Sequence, residues 1–315
     1  MNEFELIARL KPQLPTNESV VEGAGDDCAV LDLGVAGSYV LFKTDAVVEG
    51  IHFESNAAPS SVGHKALGRC LSDIAAMGGT PTAALVTLGL PAGFDVAWVD
   101  ELYVGMNKLA RKYNVAIAGG ETTQSPDRKF ISIALIGAVD KKSCVRRTGA
   151  RVGDGIFVTG ELGGSLRGRH LEFEPRVREG QWLASHFPVH AMIDVSDGLA
   201  GDLRHLLQMN NVGAELLSDA IPITRAAKLQ AVVESSAKPP LLAALTDGED
   251  FELLFTVASK DAVPLLDGWK AEFGELRLSC IGKIVERPGL RLCDKQGVRE
   301  INLGGYTHFG KPANS

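Results

Sequence analysis

The chain has 315 residues, 45% of them hydrophobic, with 32 Lys+Arg against 39 Asp+Glu and a formal net charge of −7. That apolar content is enough to bury a large core, which excludes disorder as the main state, and at roughly 150 residues per domain the length suggests two domains. The acidic balance argues against a general nucleic-acid binder, which needs basic side chains to displace counterions.

The opening Met1-Asn2-Glu3-Phe4-Glu5 is acidic and lacks the basic-then-apolar pattern of a signal peptide. Residues 40–42 read as a strand running into Lys43-Thr44-Asp45. Ser60 and Ser61 are expected to cap a helix that places Ala66, Leu67, Cys70, Leu71, Ile74 and Met77 at helical spacing. Residues 74–94 carry no charge and are long enough to span a bilayer. Gly78, Gly79, Pro81, Gly89 and Pro91 make them a helix end, a turn and a buried strand over 85–88 instead, so no membrane partner is expected. Asp95 starts a second helix carrying Trp98, Leu102, Met106 and Leu109. Strands over 115–118 and 130–136 flank Gly119-Gly120-Glu121-Thr122-Thr123.

A shift to Lys, Arg and Gly over 140–155 marks the expected boundary between a domain over 1–140 and another over 141–315. Strands follow over 156–159, 191–195 and 251–257. A helix after Ser196-Asp197-Gly198 buries Leu199, Leu203, Leu206 and Leu207. Both halves mix sheet and helix, so the expected fold class is α/β (α+β), with two mixed domains facing each other. The five cysteines (Cys28, Cys70, Cys144, Cys280, Cys293) are odd in number and form no C-x-x-C pair. This excludes a disulfide framework or zinc cluster and suits a reducing, cytoplasmic setting.

The acids are the informative residues. Asp26-Asp27 follows a Gly-rich turn, Asp45 ends a strand, Asp73 lies on a helix and Glu121 follows a glycine pair. Asp194 and Asp197 flank Ser196 at another strand end, and Glu249-Asp250 precedes the last strand. Carboxylates that converge from such places repel one another unless cations lie between them, and hard oxygen ligands in that number suit Mg²⁺. Each acid alone has a plainer reading. Asp73, four residues beyond Arg69, fits a helical surface pair, and Asp26, Asp197 and Asp250 fit turn or cap residues. His52 alone reads as a packed histidine. Asp194-Val195-Ser196-Asp197-Gly198 lacks the first glycine of a hydrolase nucleophile turn. No phosphate loop, complete G-x-G-x-x-G or H-E-x-x-H is present.

Taken together, the segments carry more. Gly25-Asp26-Asp27-Cys28-Ala29, Lys43-Thr44-Asp45 with Gly50-Ile51-His52-Phe53, and Leu71-Ser72-Asp73-Ile74-Ala75-Ala76-Met77-Gly78 come first. Gly119-Gly120-Glu121-Thr122-Thr123, Arg147-Thr148-Gly149-Ala150, Ile193-Asp194-Val195-Ser196-Asp197-Gly198 and Gly248-Glu249-Asp250-Phe251-Glu252-Leu253 follow in order. The set resembles the thiamine-monophosphate kinases, a branch of the wider family that includes aminoimidazole ribonucleotide synthetase, over nearly the whole chain.

The resemblance implies ATP-dependent phosphorylation of thiamine monophosphate to thiamine diphosphate, by two α/β domains whose N-terminal members join two subunits into a homodimer. By motif position it makes Asp27, Lys43, Thr44, Asp45, Asp73, Glu121, Asp194 and Asp197 the residues around several Mg²⁺ ions. Among these, Asp45, Asp73 and Asp194 join Arg147 as catalytic residues. Tyr103, Gly120, Glu121, Arg147 and Ser196 become ATP contacts, and His52, Glu249 and Tyr306 contacts to the thiamine phosphate. Two positions depart from the family pattern: Glu121 replaces an Asp, and Asp247 stands where Gly is usual, with no role to assign. The acceptor phosphate, with a second pKa near ~6, is mostly dianionic and needs no catalytic base, so direct in-line transfer is expected. Rival readings are a family member that activates an amide or carbonyl oxygen, a selenophosphate synthetase relative with a reactive N-terminal cysteine, and a catalytically silent nucleotide-binding module. Cys28, which reads as a small packed residue, and a C-terminus without cysteine weigh against the cysteine-dependent relatives.

Overall fold

The computed structural model describes residues 3–234, 237–306 and 308. The cysteine-free end of the chain, Gly310 onward, lies outside them. The first half runs α1 (Glu3–Leu10), β1 (Val20–Glu22), β2 (Ala29–Leu31), β3 (Ser38–Val48), α2 (Pro59–Ala76), β4 (Thr80–Leu90), α3 (Val96–Lys112), β5 (Ala116–Gln124) and β6 (Phe130–Asp140). Its strands form a mixed six-stranded sheet, β1-β2-β3-β6-β4-β5, in which only β4 and β5 run parallel. The second half contains β7 (Gly155–Thr159), α4 (Arg169–Glu172), α5 (Val177–His186), β8 (Ala191–Asp194), α6 (Leu199–Asn210) and β9 (Gly213–Leu217). It continues with α7 (Arg225–Val233), α8 (Pro240–Thr246), β10 (Leu253–Val257), α9 (Ala262–Glu272), β11 (Leu278–Val285), β12 (Gly289–Asp294) and β13 (Gly297–Glu300). These strands make a mixed seven-stranded sheet, β13-β12-β9-β11-β7-β10-β8, with β12 and β9 parallel. Two mixed sheet-and-helix units are thus present.

The strands follow their side-chain patterns. In β6 burial alternates, with Ile131, Ile133, Leu135 and Val139 turned to the core. β7, β8 and β10 are apolar runs buried on both faces. The uncharged stretch over 74–94 is a helix end, a turn and β4, as its glycines and prolines indicate. Among the described residues no helix is long and apolar enough to cross a membrane.

Helix α2 joins the halves. Its apolar side chains share one core with β3, β4 and β6 and with Phe157, Val177, Leu183, Met192 and Phe255 of the second half. Ser60 and Ser61 do not cap it. Pro59 occupies the first turn after Ala58, where a missing N–H costs nothing and the fixed φ is already helical. Asp95 does cap α3, accepting from the Ala97 N–H at 2.9 Å. The two helices cross through glycines. A Cβ on Gly63 would lie 2.0 Å from the Leu102 carbonyl oxygen, and one on Gly105 1.8 Å from that of Ser60.

Gly119-Gly120-Glu121-Thr122-Thr123 is no loop between strands: all five residues belong to β5, an edge strand, because they pair in parallel with β4 from Leu85 to Gly89. On the face of the first sheet away from α2, Phe42, Leu85 and Ile136 remain 46%, 51% and 41% exposed.

Candidate active site

Helix α2 buries Lys65, Ser72 and Asp73 although all three are polar. A buried polar group needs a partner, and these find theirs on segments far away in sequence. The Lys43 ammonium, on β3, donates to Asp73 Oδ1 at 2.8 Å and lies 3.9 Å from Asp45. The Ser72 hydroxyl donates to Asp194 Oδ2 at 2.6 Å, where β8 ends. Asp27 is held by the Arg147 guanidinium at 2.6 Å, while the Arg147 backbone N–H donates to Asp26. Asp27, Asp73 and Asp194, all buried, bring carboxylate oxygens within 4.8 Å of one another.

That triad is short of positive charge. Burial together with the neighbouring Asp27 carboxylate pushes Asp194 up to about 6. Burial also raises Asp73 well above the carboxylate range, against the Lys43 ammonium and with Asp45, Asp194 and Asp27 adding to the rise. Asp27 Oδ2, fully buried, has no hydrogen-bond partner among the described residues. An orphaned carboxylate oxygen beside two more carboxylates is the donor set of a hard divalent cation, so these residues fit Mg²⁺.

Beside the triad opens a cleft lined by His52, Arg69, Ser196, Asp197, Glu249 and Tyr306, among others. Glu249 sits at φ +53° after Gly248 at φ +72°, a left-handed pair that turns the chain so that the Glu249 N–H reaches the Ser196 carbonyl at 2.6 Å. Its carboxylate receives the Lys65 ammonium at 2.7 Å, and Lys65, wholly buried, also donates to the His52 carbonyl at 2.6 Å. Desolvation lowers Lys65 to about 8 against the pull of Glu249. The His52 ring nitrogen Nδ1 accepts from the Val48 N–H at 3.1 Å, which leaves Nε2 as the protonated nitrogen. Burial, then the neighbouring Arg69 and Lys65, hold His52 down at about 3, so it is a neutral donor and no acid. Tyr306 is anchored by its N–H to the Asp197 carbonyl at 3.0 Å, and desolvation followed by Glu3 and Asp194 pushes Asp197 up to about 7.

The structure therefore brings together Asp27, Lys43, Asp45, Asp73, Arg147, Asp194, Ser196, Asp197, His52, Glu249 and Tyr306. Three features separate the remaining residues. Thr44 alternates to the opposite face of β3 from Lys43 and Asp45, with its hydroxyl 3.5 Å from that of Ser132. Gly120 lies opposite Val86, then Ile133, then Asp45, so three strand spacings, about 14 Å, separate it and its neighbour Glu121 from the cluster. Tyr103 is half-buried on α3, which packs on β5.

Arg69 does not pair with Asp73 on the surface of its own helix. It reaches Asp45 at 3.4 Å and Glu249 at 3.9 Å instead. Sequence reasoning passed over Lys65, took Arg69 only as a surface partner for Asp73 and gave Ser72 no role of its own, although Lys65, Arg69 and Asp73 recur every fourth residue and so share one helix face. Asp247 gains a role: it accepts from the Gly164 N–H at 3.1 Å and pairs with Lys238 at 2.8 Å. Cys28 is 2% exposed and its thiol is pushed up by burial, the reverse of what a reactive cysteine requires.

Comparison with known proteins accords with this geometry. Family models described as AIR synthase related protein, N-terminal domain and C-terminal domain, match residues 25–139 and 151–295. The chain belongs to that AIR synthase-related family, enzymes of two mixed α/β units. Within it, the chain is a member of the thiamine-monophosphate kinases. It is 42% identical to the thiamine-monophosphate kinase of Rhodopirellula baltica over 91% of both chains. It is 33% identical to that of Bacillus subtilis over 98% of this chain and all of the other. AaThiL complexed with AMPPCP and TMP superposes with a TM-score of 0.84 at 30% identity, covering 98% of this chain and 97% of that one. HypE of E. coli, at 24% identity and a TM-score of 0.72, shares the fold.

Proposed function

We propose that the cleft between the Asp27–Asp73–Asp194 triad and Glu249 is where this thiamine-monophosphate kinase joins its two substrates. The protein phosphorylates thiamine monophosphate to thiamine diphosphate with ATP, a step of thiamine diphosphate biosynthesis. The observation that carries the placement is the triad itself, three buried carboxylates with Lys43 and Arg147 as their close cations, beside a pocket with a fixed acid. Asp27, Asp73 and Asp194, with Asp45 and Asp197 at the rim, would hold Mg²⁺, which would supply charge neutralisation for a phosphate tail.

The chain's own residues do the rest. Arg147 stabilises charge on the transferring phosphoryl group, and Ser196 contacts the nucleotide. Lys65 fixes Glu249 against the cationic ring system of thiamine, while the neutral His52 donates from Nε2 and Tyr306 closes the outer side. An oxygen of the dianionic acceptor phosphate attacks the γ-phosphorus, the bond to the β–γ bridging oxygen breaks, and ADP leaves with that electron pair. No proton is removed from the nucleophile, so no base is needed, and no phosphoenzyme forms.

Thr44, Gly120, Glu121 and Tyr103 are read as acting across a homodimer. Thr44, Leu85 and Glu121 emerge on the same outer sheet face as the half-exposed Phe42 and Ile136, and an apolar sheet face without a covering layer is suited to self-association. In that arrangement Tyr103, Gly120 and Glu121 reach the partner's nucleotide, and Thr44 and Glu121 reach its metal ions. The chain divides near Asp140 into an N-terminal, dimerising unit and a C-terminal unit, and works in the cytoplasm.

Incubation with ATP, Mg²⁺ and thiamine monophosphate yields thiamine diphosphate, and a chiral γ-phosphate emerges inverted; retention would refute the single displacement. Mixing the inactive variants Asp73→Asn and Glu121→Ala restores activity if sites are shared between protomers. Two fully active monomer fractions on sizing would overturn the dimer.

A further inference from the structure

Among the described residues, Lys43, Lys65 and Arg147 at the cleft each have a short, dedicated partner. Lys43 meets Asp73 at 2.8 Å, Lys65 meets Glu249 at 2.7 Å and Arg147 meets Asp27 at 2.6 Å. Arg69 is the exception. Its Nε lies 3.4 Å from Asp45 and its Nη1 3.9 Å from Glu249, both single, long contacts. Glu249 already holds Lys65 at 2.7 Å, and Asp45 also has Lys43 3.9 Å away. Yet the Arg69 side chain is only 17% exposed and lines the cleft. Among the described residues only its Nε donates a hydrogen bond, so the terminal nitrogens of a guanidinium held charged by Asp45, Glu249 and Asp73 have donors to offer another anion.

Its place says which one. Arg69 stands one helical turn before Asp73, between the acid assigned to the thiamine ring system and the acids assigned to the metal-bound nucleotide tail. The group that must lie there is the acceptor phosphate. We propose that Arg69 binds the phosphate of thiamine monophosphate, presenting its guanidinium fork to two phosphate oxygens and leaving the third to attack. Two parallel donors suit a phosphate better than the point charge of lysine does. The same contact selects the substrate. Thiamine without its phosphate leaves the guanidinium unpaired, and a site built to pair a polar group rejects an analogue that lacks it.

The inference rests on the reading of Glu249 as the thiamine-binding acid, and the experiment separates the two. Full-length wild type, Arg69→Gln, Arg69→Lys and Glu249→Gln are titrated calorimetrically with thiamine monophosphate and with thiamine, in the presence of Mg²⁺ and a non-hydrolysable ATP analogue. Arg69→Gln weakens thiamine monophosphate binding by roughly 10- to 100-fold, the range for a charged hydrogen-bonded contact, and leaves thiamine and the ATP analogue unchanged. Arg69→Lys recovers part of the loss. Equal weakening of both thiamine compounds in Arg69→Gln overturns the proposal and makes Arg69 a strut between Asp45 and Glu249, and unchanged thiamine monophosphate binding overturns it outright. If Glu249→Gln alters neither ligand, the Glu249 reading fails, while selective loss in Arg69→Gln still upholds the phosphate contact.

Discussion

Two groups of buried acids stand close in this fold and meet opposite fates. In the second sheet, Glu252 takes a bidentate pair from Arg176, both contacts at 2.7 Å, and the Thr159 hydroxyl at 2.7 Å. Asp250 beside it accepts from the Gly163 N–H and from Arg169 at 2.5 Å. Across the cleft, Asp27 keeps an oxygen without a partner, Asp194 has one hydroxyl donor, and Asp73 one ammonium. Burial is the same in both. What differs is whether the fold itself supplies the donors: where it does, the acids are framework; where it does not, they await a ligand.

Breaking the unsaturated group carries the largest effect on catalysis. Asp73→Asn lowers kcat/KM by about 10³-fold or more. Its thermal midpoint without Mg²⁺ changes little, because the repulsion relieved by removing one of three carboxylates offsets the loss of the Lys43 pair. Steady-state kinetics and a melt on the same sample check both halves. Breaking the saturated group reverses the pattern: Glu252→Ala strands the Arg176 guanidinium and costs about 3–5 kcal/mol, read by denaturant unfolding.

A metal titration sharpens the contrast. Mg²⁺ at about 100 times its Kd stabilises the wild type by about 2.7 kcal/mol at one site. Asp27→Asn loses that increment, whereas Lys238→Met, which touches only the framework contact to Asp247, keeps it. A further effect, confined to acid pH, belongs to His52. Its pKa falls from 6.5 to about 3 on folding, so between those values the unfolded chain binds more protons. The stability tied to neutral His52 is therefore full above pH 6.5 and is lost as pH falls toward 3. In ligand-free protein, His52→Gln flattens that part of the acid limb in pH-dependent unfolding.

Much of the site was legible in the chain. Strand ends and the helix after Ser196-Asp197-Gly198 fall near their expected places, because apolar periodicity and glycine punctuation act over a few residues. The family motifs pointed to Asp27, Asp45, Asp73, Asp194 and Glu249, which do gather round one cleft. Lys65 was missed, and Arg69 taken only as a surface partner, because a lysine or arginine on a helix is ordinarily solvated; only docking α2 between two sheets buries them. Glu121 and Thr44 could not be separated from the cluster by motif, since a motif carries no information about which face of a sheet a side chain takes once the strands are paired.

The sequence by itself determined the alternation of elements, the two mixed units and the stock of acids, since those depend on local spacing and composition. Tertiary structure alone decided which acids are neutralised. Charge balance in a buried site depends on contacts between residues such as Lys65 and Glu249, 184 positions apart, and only the packed chain brings such partners within reach.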